Sequence, residues 1–254
     1  MSARVPPGAA RQLRVTLQIL DPRWLVNRHS QFVVFAQGRS GSTLLGELLG
    51  AHPRVVYEGE ILHHRVRFPR LWVHGRRARH PHHCYGFQVK SYQLRDDQGV
   101  HDAGRWLQTM HRAGWQVVHL RRENVVRHAL STIVAFSTGV FHSRDGAPSG
   151  ERVVVDPEEL LRHTEERALE GRLEARALAD VPHLLVRYET DLLRPSARQA
   201  TADQVFRRLG LPPARVSVDL RRIGADRLED KIANAGELRA RFAATPWADL
   251  LERP

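Results

Sequence analysis

Residues 32–49 of the chain read FVVFAQGRSGSTLLGELL. The apolar run Phe32 to Ala36 has the length and composition of a strand covered on both faces, and Thr43 to Leu49 that of an apolar helix. Between them Gly38 and Gly41 let the backbone turn sharply and aim successive amide N–H groups at one point, at a helix N-terminus whose dipole favours an anion. Ser40, Ser42 and Thr43 add hydroxyl donors, and Arg39 adds a permanent positive charge. The loop suits phosphate or sulfate. It is not a Walker A loop, which needs lysine directly after its last glycine; here Ser42 follows Gly41 and the cation precedes it.

Outward from this unit the same alternation repeats. Gly86 to Val89, Trp115 to Leu120 and His183 to Arg187 read as further buried strands. His101 to Arg112, Asn124 to Ser137, Pro157 to Ala179 and Ser196 to Leu209 read as helices, with Asp156 and Pro157 marking one start and Gly210 and Pro212 one stop. The pattern predicts an α/β fold, three layers with a central, mainly parallel sheet. Residues 1–12 read as a loose tail within a lead-in segment 1–30, and 31–254 as a single domain. His63 to His83 has neither period and reads as an insertion or lid; Ser143 to Gly150 reads as a turn-rich loop. The helix from Pro157, with Glu165, Glu166 and Arg167, reads as a solvated charged face.

Arg39-Ser40-Gly41-Ser42-Thr43-Leu44-Leu45 resembles the 5′-phosphosulfate-binding loop of sulfotransferases that use 3′-phosphoadenosine-5′-phosphosulfate (PAPS), in particular the bacterial trehalose-type and nodulation-factor enzymes. The resemblance implies a P-loop-like site in which Arg39 and the amides and hydroxyls of Ser40, Gly41, Ser42, Thr43 and Leu44 hold the sulfate-bearing phosphate of PAPS. It continues along the chain. LLVRYETDLL, with Arg187, Tyr188 and Glu189, is similar to the family's strand and Y-E-D-L turn, and a helix ending LGLPP follows it. Lys231-Ile232-Ala233-Asn234 resembles a C-terminal loop of bacterial members, and Gly86 to Lys90 stands where a strand often ends in lysine.

PAPS carries an anion at each end of its ribose, so a second cationic site is required. Val117 to Ser137, VVHLRRENVVRHALSTIVAFS, reads as a strand ending in two arginines, a turn and a helix. In a parallel sheet its end lies on the same rim as the first loop. The family's 3′-phosphate site is an arginine at a strand end and a serine about two helical turns later. Arg122 with Ser131 fits, with Arg121 the alternative.

Sulfuryl transfer to a hydroxyl of a carbohydrate or small natural product needs a base for the attacking oxygen and counter-charge for the leaving phosphate. The resemblance implies in-line attack with Arg39 and Lys90 supplying the counter-charge. Aligned without gaps from Arg39, Glu60 falls at the trehalose-type catalytic glutamate; Glu58, then His63 or His64, are the alternatives. His80, His82, His83 and Cys84 crowd into one segment without zinc-site spacing, so no metal is expected. The competing readings are a P-loop-like kinase or NTPase and a non-catalytic basic polyanion binder.

Composition bounds these choices. The 254 residues are 42% hydrophobic, enough for a large core, and carry a net charge of +11. Of 39 cationic residues only Lys90 and Lys231 are lysines, a bias toward planar, bidentate contacts with anions. Aromatics are only 7% and the arginines are scattered, as at Arg11, Arg67, Arg121 and Arg207, which speaks against nucleic acid as partner. Cys84 is the only cysteine, so a disulfide-stapled secreted scaffold is excluded and a reducing compartment fits. No apolar run reaches the length of a membrane span, and no apolar stretch follows the N-terminal arginines. A cytoplasmic protein is expected.

Overall fold

The computed structural model of the chain describes residues 8–18, 30–139, 152–218 and 227–253. Strands β1 (Gln31–Ala36), β2 (Val55–Glu60), β3 (Cys84–Val89), β4 (Trp115–Arg121) and β5 (His183–Arg187) form one sheet in the order β2-β3-β1-β4-β5. Every pairing within it is parallel. β1 is central, and β1 and β3 are buried at every position, which is why both are mostly apolar, with Gln31 and Gln88 the polar exceptions.

The two faces of β1 feed two cores. Phe32, Val34 and Ala36 pack with Leu45, Leu48 and Leu49 of α2 (Ser42–Gly50) and with Val205 and Phe206 of α7 (Pro195–Arg208). Val33 and Phe35 pack on the opposite side with residues of α1 (Ala9–Leu17), α3 (Pro69–Ala78) and α4 (Ala103–Arg112). A third core joins α5 (Val125–Thr138), α6 (Pro157–Leu178), α8 (Ala235–Phe242) and α9 (Ala248–Glu252) around Ile133, Leu160, Leu238 and Phe242. Among the described residues no helix is long and apolar enough to cross a membrane.

Local signals were honoured at the helix ends. Asp156 accepts the Glu158 N–H at 2.9 Å, and Gly210 takes the left-handed conformation after α7. Three expectations are corrected. The loose tail of residues 1–12 gives way at Ala9 to α1, whose Val15 is buried in the core beside α3. The unpatterned stretch 63–83 is no simple lid, because α3 lies within it and drives Trp72 and Val73 into the same core. A fifth strand, β2, was not foreseen; it is an edge strand, mostly half-exposed and carrying charge, so it lacks an apolar run. The loop expected at 143–150 lies outside the described residues.

Candidate active site

Parallel pairing sets all strand C-termini on one rim. Ala36 lies opposite Leu120, Phe35 opposite Val89, Glu60 opposite Gln88 and Arg121 opposite Arg187. The loop after β1, Lys90, Glu60, Arg122 and Tyr188 therefore emerge together, where open α/β sheets bind ligands.

The loop itself departs from ordinary backbone. Arg39 is a non-glycine residue in the left-handed region, at φ 67°, a conformation that costs of order 1 kcal/mol and concentrates at functional sites. Gly41 follows at φ 96°, and a Cβ there would lie 2.6 Å from Cδ2 of Tyr188, so both conformation and space demand glycine. Ser40 Oγ closes the turn onto the Gln37 carbonyl at 2.7 Å. No side chain caps α2, so its first-turn amides keep their donor capacity for a ligand. Ser42 is buried at this terminus, Thr43 is half-buried, and Leu44 packs against the core of Phe32, Val34 and Ala36, leaving its backbone to the loop. Burial lowers the Arg39 guanidinium from its ordinary value, opposed in part by Tyr188.

On the β4 side, two donors hold the loop's carbonyls away from its amide face. Fully buried His128 bonds the Gly38 carbonyl through Nε2 at 2.6 Å. Burial and then the charges of Arg122 and Arg167 hold this imidazole well below its ordinary pKa, so it is neutral and donates. Arg122 Nη1 donates to the Arg39 carbonyl and to Ser131 Oγ, each at 3.2 Å. Of the two arginines ending β4 it is thus Arg122 that reaches Ser131, while Arg121 is exposed. The Arg122 guanidinium lies 4.8 Å from the Tyr188 ring centroid. Glu189 accepts the backbone N–H groups of Glu123 and Asn124 at 3.0 and 3.1 Å, fixing the turn between β4 and α5.

On the β3 side stands a carboxylate–ammonium pair. Glu60 Oε1 is 2.7 Å from Lys90 Nζ and accepts Gln88 Nε2 at 2.9 Å, while Oε2 accepts Gln93 Nε2 at 2.6 Å. Burial pushes the Glu60 carboxyl up, but Lys90 and these hydrogen bonds outweigh it and hold it below its ordinary value. Lys90 is raised in turn: Glu60 and Tyr92 overcome the effect of burial. Lys90 Nζ would lie 3.7 Å from a Cβ at Gly38, which places the pair against the loop.

Glu60 reaches this position through a one-residue bulge. Tyr57 pairs with Gly86 but Glu60 with Gln88, and Gly59 between them sits at φ 65°. Strict alternation would send Glu58 and Glu60 to the same face; the bulge reverses the parity, so Glu60 joins Gln88 and Glu58 does not.

Comparisons with solved structures give a likeness of fold. No family model and no curated protein matches the chain. The chain is similar to a sulfotransferase from Alicyclobacillus acidocaldarius, a solved structure, with 17% identity over 90% of this chain and 98% of that one and a TM-score of 0.45.

The other residues singled out from the sequence lie elsewhere or serve the framework. Glu58 faces α3, where it accepts Arg76 Nε and Nη2 at 2.8 and 2.7 Å and also the Tyr85 hydroxyl, with His80 at 3.7 Å. Burial raises its pKa, but Arg76 and Tyr85 prevail and the net shift is downward. Glu58 and Arg76 are only 15% and 17% exposed, so Glu58→Gln strands a largely buried guanidinium and is expected to cost roughly 2–4 kcal/mol in urea denaturation. The effect is present above the ordinary carboxylate range and fades as pH falls through the depressed Glu58 value; an unchanged urea midpoint at neutral pH would show the network to be idle. His63 Nδ1 is taken by the Glu60 carbonyl, and His64 packs beside it at 3.6 Å between ring centroids. Cys84 is buried in a core, its thiol pushed up to about 12 by burial. Asn234 braces the approach to α6 through both backbone groups of Val155, at 3.0 and 2.8 Å.

The solvated reading of α6 holds for Glu165 and Glu166, which are exposed, but not for its inner face. Arg167, Glu170, Gly171 and Glu174, at helical spacing i, i+3, i+4 and i+7, turn toward the rim. Glu170 accepts Ser91 Oγ at 2.8 Å and faces Arg95 at 3.4 Å. Glu174, 1% exposed, accepts Gln37 Nε2 at 3.4 Å and lies 3.5 Å from His119 Nε2. A Cβ at Gly171 would lie 3.7 Å from the same Gln37 nitrogen. Arg167 Nη2 donates to Thr132 Oγ1 at 3.3 Å. A buried helix face with polar partners has no hydrophobic periodicity, so the pattern gave no sign of it.

Proposed function

We propose that this protein transfers a sulfuryl group from PAPS to a hydroxyl of a carbohydrate or small natural product, as a cytoplasmic enzyme of the sulfotransferase type. One observation carries the reading: the strained Gly/Ser loop lies between a Glu60–Lys90 pair and an Arg122–Ser131 pair on a single sheet rim. A binder of one anion needs the loop alone; a donor phosphorylated at both ends of its ribose needs both flanks, one for the 3′-phosphate and one for the reacting group.

The donor supplies the sulfuryl group and a phosphate that leaves. The loop amides, Ser42, Thr43 and Arg39 hold that phosphate, and Arg122 with Ser131 binds the 3′-phosphate. Glu60, ionised because its pKa is depressed, takes the acceptor proton as the new S–O bond forms and the bond to phosphate breaks. Lys90, kept protonated by Glu60, neutralises charge gathering on the leaving oxygen. The chain's own cations supply this counter-charge, so no metal requirement is expected.

Calorimetric titration tests the reading against its rivals. 3′,5′-Bisphosphoadenosine is expected to bind tightly without magnesium, and ATP–Mg poorly. A preference for ATP–Mg would restore the kinase class; indifference between the two with steep salt dependence would indicate a polyanion binder.

A further inference from the structure

Arg167 faces this rim as a cation that the proposed reaction has not used. It is half-buried on the inner stripe of α6, and its only hydrogen bond among the described residues goes to Thr132, itself buried and bonded to the His128 carbonyl at 3.2 Å. No carboxylate of the described residues lies within ion-pair distance of it. The two acids one and two turns along the stripe are engaged elsewhere, Glu170 with Ser91 and Arg95, Glu174 with Gln37 and His119. A guanidinium withdrawn from water with no carboxylate in direct contact is costly, and burial pulls its pKa down against the opposing charges of Tyr92, Glu166, Glu170 and Glu174. Such a cation is retained where its counter-ion arrives with a ligand.

Its neighbours say which part of the ligand. The Arg167 charge acts on His128, which holds the Gly38 carbonyl, and on Tyr92. The Tyr92 hydroxyl would lie 3.5 Å from a Cβ at Gly38, and Lys90 Nζ lies 5.6 Å from the Tyr92 ring centroid. Arg167 thus reaches the beginning of the loop through Thr132 and His128, which holds the Gly38 carbonyl, whereas Arg122 holds the Arg39 carbonyl beside Tyr188 and Ser131. The 5′-phosphate belongs to the amides at the far end of the loop, and the 3′-phosphate to Arg122.

We propose that Arg167 contacts the sulfuryl oxygens of the donor, as a third anion-binding group that reads sulfate and not phosphate. The assignment rests on the phosphosulfate reading of the loop. Arg167 exchanges no proton and forms no bond to sulfur: the sulfuryl group passes from the phosphate oxygen to the acceptor oxygen, the acceptor proton goes to Glu60, and the guanidinium holds the three sulfuryl oxygens during transfer.

The test compares PAPS with 3′,5′-bisphosphoadenosine, which lacks only the sulfuryl group, on the same sample of Arg167→Gln without acceptor. PAPS affinity is expected to fall roughly 10- to 100-fold, the loss of one charge-assisted contact, with bisphosphoadenosine nearly unaffected. kcat is expected to fall by about 100-fold. The ratio of two affinities is independent of the folded fraction, and Arg167→Lys, which keeps charge but loses the planar fork, is expected to fall between. Equal weakening of both ligands would overturn the assignment, making Arg167 a brace for the loop. So would unchanged PAPS affinity and kcat with a raised KM for the acceptor, which would move the contact to an acceptor anion. Failure of the unmutated protein to bind either nucleotide would instead sink the donor reading and this assignment with it.

Discussion

Glu60→Gln is expected to lower kcat by about 1,000-fold, the upper-middle of the range for a lost general base, with affinity for 3′,5′-bisphosphoadenosine nearly unchanged. Every donor around this carboxylate is accounted for: Lys90 and Gln88 at one oxygen, Gln93 at the other. An amide there must turn its NH2 toward one of those donors and cannot accept a proton from an acceptor hydroxyl. The sequence cannot separate loss of a base from loss of the partner that keeps Lys90 charged, but the pH profile can. Because Glu60 titrates below its ordinary value of 4.5, the midpoint of the acidic decline in kcat/KM of the unmutated enzyme is expected to lie below that value. Without the carboxylate, only Tyr92 opposes the burial of Lys90, and its pKa falls. A partner role alone would therefore give Glu60→Gln a rate that recovers as pH falls and Lys90 is protonated again; a base role gives a constant deficit throughout the range above the Glu60 titration. Normal kcat, or lost nucleotide affinity with normal residual rate, would remove Glu60 from the chemistry.

What the sequence disclosed and what it hid follow from how far apart the contributing residues lie. The loop from Gly38 to Thr43 is contiguous, so its glycines, hydroxyls and arginine could be read together, and Arg122 with Ser131 spans only a turn and part of one helix. The Glu60–Lys90 pair joins two adjacent strands at a bulge. Its parity depends on Gly59 at φ 65°, which no alternation pattern contains, and Glu60 was reached only through the family resemblance. β2 escaped because an edge strand with charged positions has no apolar run to betray it. α3 escaped because its two large buried apolar side chains, Trp72 and Val73, sit among Arg70, Arg76 and Arg77, and Arg77 is itself buried. α6 was misjudged for a different reason. Its charges at Arg167, Glu170 and Glu174 look like those of any solvated helix until the sheet rim supplies their partners, as Gln37, Ser91 and Arg95 do here.

Arg122→Gln is expected to weaken 3′,5′-bisphosphoadenosine by about 100-fold or more, because one guanidinium serves two purposes. In the proposed reading it provides the 3′-phosphate contact beside Ser131, and through Nη1 it also ties down the Arg39 carbonyl of the first loop. The two losses separate with adenosine 5′-phosphosulfate, which has no 3′-phosphate. That ligand is expected to lose only the small part due to a looser loop, since His128 still holds the neighbouring Gly38 carbonyl. Arg121→Gln, at an exposed position where β4 ends, serves as the matched control and is expected to leave both affinities in place. Equal weakening of the two ligands in Arg122→Gln would mean that the arginine is a strut of the loop and that the 3′-phosphate binds elsewhere. A large loss in Arg121→Gln would transfer the role to its neighbour, and with it the requirement that β4 rotate its last residue toward Ser131. The contact at 3.2 Å between Arg122 and Ser131, under the ring of Tyr188, argues for the first outcome: this guanidinium is already oriented by a hydroxyl, a carbonyl and an aromatic face, so a phosphate arriving there meets a donor that needs no reordering.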